Sequence, residues 1–141
     1  MAVGKAATIN QVEQTVREMD PTDPPLTVFG VFLDNNPWLS CLLSGGNLDA
    51  DTYFVTATAR SVHFHQVRAK GLGQRPGDLV HSFDRDGAVR RMGEVRRQLL
   101  WSSFPFALPG HDAPTRMNVR LGWRKEFARF TADLDTAAAR R

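Results

Sequence analysis

A single cysteine, Cys41, in 141 residues excludes an intramolecular disulfide and any zinc site built on several thiolates. No stretch approaches the roughly 20 apolar residues that a bilayer-spanning helix needs. The opening residues carry one charge, Lys5, and no continuous apolar core before Asn10, so no secretory signal is expected. Gly4 does not stand second, and the myristoylation pattern is missing. No repeat recurs at a period of roughly 20 to 50 residues, which sets aside solenoids and propellers. The expectation is a soluble cytoplasmic protein. No Gly-x-Ser-x-Gly elbow, Walker loop or three-glycine dinucleotide fingerprint occurs either.

What is present fits one globular domain: 42% apolar and 23% charged residues, enough for an independent core at this length. Charge is unevenly placed. Residues 1–59 hold two basic side chains against seven acidic ones, and residues 60–141 hold sixteen against eight.

A helix is expected over 8–19, where Thr8 and Gln11 have capping-box spacing and Ile9, Val12, Val16 and Met19 share a face. The prolines at 21, 24 and 25 end it. Residues 1–25 thus form a short helix and Pro-rich linker, 26–135 a β domain closed by a helix, and 136–141 a frayed tail. Strands are expected at 26–33 and 38–43 around the turn Asp34-Asn35-Asn36-Pro37. A tight hairpin follows, 52–58 with 61–67 about Ala59 and Arg60. Residues 70–78 read as a flexible loop, 79–83 as a short strand, and Asp84-Arg85-Asp86-Gly87 as a turn. Further strands are expected at 89–95, 98–108 and 116–121, with Pro105 marking an edge or a loop. Trp123, Phe127, Phe130 and Leu134 then form one stripe of a final helix.

The hairpin Tyr53-Phe54-Val55-Thr56-Ala57-Thr58-Ala59-Arg60-Ser61-Val62-His63-Phe64 resembles the Leu-x-Thr-x-x-Arg-hydrophobic hairpin of bacterial pleckstrin-homology-like (GRAM-like) domains. The strand at Leu79 and the closing strand–helix segment with Glu126 and Phe127 fit the same scheme, over residues 26–135. The resemblance implies a mainly β (α+β) fold: a bent antiparallel barrel or sandwich of about seven strands, capped by the C-terminal helix. It also implies a binding or oligomerisation module with no catalytic residues of its own. The rival is a cone-fold isomerase, dehydratase or carrier with an internal cavity, which normally sets long helices before its sheet.

The candidate chemistry is sparse. His63 and His65 share a strand face at metal-pair spacing, but the carboxylate that usually follows such a pair is replaced by Gln66-Val67-Arg68-Ala69; His81, His111, Asp78 and Asp112 remain as further ligands. A solvated strand face accounts for the pair without metal, and no cofactor is expected. Cys41 lies in an apolar run and reads as a small core residue. His81, Asp84 and Asp86 cluster near ordinary turn chemistry. Arg90, Arg91, Arg96 and Arg97 are candidate anion contacts, although as one strand they would split between two faces. Nucleic acid or an anionic membrane is therefore a weaker partner than protein. In phosphoinositide-binding members of the family the first hairpin is basic, whereas here that turn is acidic. The run with Trp101, Phe104 and Phe106 is either core or an association surface. As a surface it implies a homo-oligomer, most simply a dimer, or another protein partner; no small-molecule ligand is identified.

Overall fold

The computed structural model describes residues 2–33, 52–70, 73–99 and 101–139. The strand expected at 38–43, Cys41 and the turn from Asp34 to Pro37 lie outside them. Helix α1 (Ala2–Met19) leads into β1 (Pro25–Leu33), β2 (Thr52–Thr58), β3 (Ser61–Lys70) and β4 (Gly73–Asp84). Helix α2 (Arg85–Arg91) connects to β5 (Arg96–Arg97), β6 (Trp101–Phe106) and β7 (Thr115–Arg120). A 3-10 turn (Leu121–Trp123) starts the final helix, α3 (Arg124–Ala139). The seven strands form one antiparallel sheet in the order β4-β3-β2-β1-β7-β6-β5.

The sheet is strongly bent. In a flat sheet β3 and β6 would lie about 19 Å apart, four spacings of about 4.8 Å. Instead Phe106 of β6 stands 5.3 Å, ring centre to ring centre, from Phe64 of β3, and 5.5 Å from Phe83 of β4. The inner face of this bowl carries the main core, including Phe29, Val31, Val55, Phe64, Phe104, Phe106, Met117 and Val119.

β1 and β7 pair only at Phe32↔Asn118 and Leu33↔Met117, and α3 packs where they are not paired. Its Phe127 lies 5.3 Å from both Phe29 and Phe104, and Phe130 lies 4.8 Å from Phe29. The +4, +3, +4 aromatic stripe is thus what fills the bowl. On the outer face, Val12 and Val16 of α1 pack on Val28 and Phe54. The lead helix is therefore part of the folded body. Lys5 pins it to the start of α3, donating to Gly122 O at 2.6 Å and pairing with Glu126. Trp123 closes the same end over Gly30, where a Cβ would come within 2.9 Å of the indole Nε1.

Three expectations are corrected. α1 begins well before Thr8, because the helix-favouring Lys5, Ala6 and Ala7 continue it N-terminally. The expected loop at 70–78 is mostly strand: residues from Gly73 onward join β4, held to β3 down to Lys70↔Gly73. The expected strand at 89–95 is replaced by α2, which Asp84 caps by accepting from the Gly87 N–H at 3.1 Å. Pro105 sits inside β6 without loss, since its carbonyl accepts from Gly93 at 2.8 Å and that neighbour is a glycine. A Cβ at Gly93 would overlap the proline ring.

Candidate functional site

The hairpin that carries the family resemblance is a structural knot. Thr58 at the end of β2 donates to Asp23 Oδ2 at 2.6 Å and accepts from the Ser61 and Arg60 N–H groups at 2.9 and 3.3 Å. Arg60 reaches back to Thr22 Oγ1 at 3.0 Å and to Asp23 Oδ1 at 3.6 Å. The Pro-rich link after α1 is thereby tied to the β2–β3 turn. Asp20 keeps its carboxyl below the usual carboxylate range, first through the hydrogen bond from the Thr22 side chain and then through the Thr22 N–H.

The histidines divide between the two faces. Val28, Thr56, His63 and Ser82 form one row on the outer side, and Phe54, His65 and Leu79 form the next. His63 and His65 do share a face, as their spacing predicts, and both are buried. His63 Nδ1 shares a 2.8 Å hydrogen bond with the Ser82 hydroxyl, while His65 Nδ1 has no partner among the described residues. Burial holds both below the ordinary histidine pKa, opposed at His63 by the Asp23 and Asp20 carboxylates and reinforced at His65 by His63. His81 faces the bowl instead, stacked on Phe83 at 5.9 Å and edge-on to Phe64 at 6.1 Å. Burial, then His111 and Arg91, also lower its pKa. Among the described residues no three His, Cys, Asp or Glu side chains stand together as a metal site. Asp84, from the acidic cluster near His81, is engaged as the cap of α2.

The four candidate arginines are not brought together. Arg90 and Arg91 ride on α2, while Arg96 and Arg97 form β5 with their side chains on opposite sides. Arg91 is structural: it donates to Ala107 O at 2.6 Å and lies over the Phe83 ring at 4.8 Å. Trp101, Phe104 and Phe106 are core. Trp101 is 6% exposed and the other two less; Phe104 stacks on Phe127 of α3 at 5.3 Å, and Phe106 lies 5.3 Å from Phe64 across the bowl. Of the two readings open to this run, the buried one holds, and these rings offer no association surface.

Sequence patterns missed two features. The first is β4 as a margin of the sheet. Among the described residues it pairs only with β3, and near its middle Leu79 and Val80 are 43% and 40% exposed. Gly73, Pro76 and Gly77 hid it by reading as loop. The second is Arg116, which the pairings Pro105↔Arg116 and Arg96↔Ser103 place on the same face as Arg96. A cavity of about 400 Å³ opens there, lined in part by Glu94, Arg96, Gln98, Ser103 and Arg116. A second cavity, about 330 Å³, lies between the α2–β5 link and α3; Glu94 is its ionisable lining residue, among apolar neighbours such as Val89, Met92 and Leu134.

Among the described residues no helix is long and apolar enough to cross a membrane. The chain matches no family model and no curated protein.

Proposed function

We propose that this protein is a non-catalytic binding and oligomerisation module of pleckstrin-homology-like architecture, in which β4 of one copy adds to β4 of a second. The observation that carries the reading is the filled bowl. Where a cone-fold enzyme or carrier would hold its substrate, Phe29, Phe104, Phe127 and Phe130 are packed against one another. A bent seven-stranded sheet closed by a C-terminal helix is also the form that the hairpin resemblance implies.

The choice of occupant follows from the two margins. Strand addition supplies main-chain hydrogen bonds along an edge strand. Among the described residues β4 has a ladder on one side only, and α1 packs beside its first half near Arg75 and Pro76, leaving the half with Leu79 and Val80 for a partner. A copy docking β4 onto β5 would find only Arg96 and Arg97, too short and too charged to pair well. An isologous β4–β4 pairing is left, and it closes after two copies. With Leu79 opposite its own symmetry mate, Arg75 falls opposite Phe83 and Asp78 opposite Val80, so like charges do not face each other.

Sedimentation equilibrium on the full chain tests this. The expected result is a mass rising towards the dimer with concentration, and a monomer for Leu79→Lys/Val80→Lys at the same concentrations. A strict monomer for the unsubstituted chain, or a dimer unaffected by the double substitution, would overturn it.

A further inference from the structure

The cavity beside β5 and β6 stands apart from the β4 margin, and two of its three charged lining residues are arginines. Two arginines, Arg96 and Arg116, border it together with Ser103 and Gln98. Arg116 Nε is buried and has no acceptor among the described residues. Arg91, at the same end of the sheet, donates to Ala107 O, and Arg124 donates to Gln98 O at 2.6 Å, although the Arg124 Nε likewise has no acceptor among the described residues. Glu94 also lines the cavity, yet no ion pair joins it to either arginine among the described residues. A buried guanidinium N–H without an acceptor is costly. An oxyanion with two oxygens to offer, a carboxylate or a phosphate, removes that cost, because it accepts two N–H bonds from one arginine fork.

We propose that Arg116 and Arg96, with Ser103 and Gln98, form an oxyanion-binding site that takes a carboxylate or phosphate group. Arg116 would supply the forked contact, and Arg96, exposed on β5, the second charge. Ser103 stands between β5 and β7 in register with Arg96 and Asn118, on the same face as Arg96 and Arg116.

The experiment is an NMR titration of the full chain with inorganic phosphate and, separately, acetate, with chloride as the ionic-strength control. Saturable shifts at the Arg96, Ser103 and Arg116 amides and at the Arg116 Nε–H are expected, absent with chloride. Saturation by phosphate alone supports a phosphate-bearing ligand, and saturation by acetate alone a carboxylate one. Arg116→Gln should weaken binding at least tenfold; if a thermal melt shows that variant unfolded, Arg96→Gln, at an exposed position, carries the same expectation. No saturable shift with either anion, or unchanged binding in the folded variants, would overturn the site.

Discussion

At one margin of the sheet β5 offers two residues, Arg96 and Arg97, both charged and exposed; at the other β4 runs for 12 residues and exposes Leu79 and Val80. The first is a blunted edge. It is short and cationic, and beyond it Gly93 closes on Pro105, which has no N–H to offer a further strand. The second keeps the features that recruit a strand. Such asymmetry confines strand addition to one side, which permits a closed pair of copies and opposes an open-ended stack. The same blunt margin carries the cavity with Arg96 and Arg116, so the two edges divide the proposed tasks of association and anion binding.

That contrast holds only while the bowl stays bent, and the strongest way to break it is to remove the filling. Phe127→Ala should cost about 3–5 kcal/mol, read from urea melts; a loss below about 1 kcal/mol would mean that α3 does not hold the bend. Next comes the blunt edge itself. Gly93→Ala forces a Cβ into the Pro105 ring and should destabilise by about 1–3 kcal/mol. Gly122→Ala, with nothing within 4 Å of the added carbon, should stay within about 0.5 kcal/mol. Equal effects at both glycines would remove close packing as the reason for Gly93. Asp84→Ala at the end of β4 removes the α2 cap and should cost about 1 kcal/mol, measured by thermal melting.

The smallest expected effect is one of pH. His63, His65 and His81 have folded pKa values below the ordinary 6.5. The unfolded chain therefore takes up protons first as pH falls. Stability is fully present above about pH 6.5 and declines below it towards the lowered folded values. Urea midpoints should fall between pH 7 and pH 5, and by less in His65→Gln than in the unsubstituted chain. A midpoint that rises on acidification would contradict the burial of these rings.

Much of the fold was legible because local chemistry and global packing agree. The β2–β3 hairpin alternates on both sides of a two-residue turn, and the stripe from Trp123 to Leu134 has one helical face. Elsewhere the decisive contacts were remote. Gly73, Pro76 and Gly77 argue for a loop, but an edge strand needs only one ladder, and β3 supplies it. Residues 89–95 carry Val89, Met92 and Val95 three apart, a spacing nearer a helix than a strand, yet α2, at 7 residues, is too short for a helical period to declare itself, and Asp84 reads equally as turn chemistry. The aromatic run at Trp101 left core and surface open, since burial depends on what covers the faces of β6, here Phe127 of α3 and Phe64 of β3. Arg116 could not be joined to Arg96 without the register across three strands. That register lies in pairing, not in any sequence window.

The most direct test of the contrast between the margins is backbone hydrogen exchange, compared at low and high protein concentration. Added protection at high concentration is expected along β4, centred on Leu79 and Val80, with Arg96 and Arg97 exchanging at the same rate throughout. Exchange in β4 that does not depend on concentration, or protection that appears at Arg96 and Arg97 instead, would contradict it.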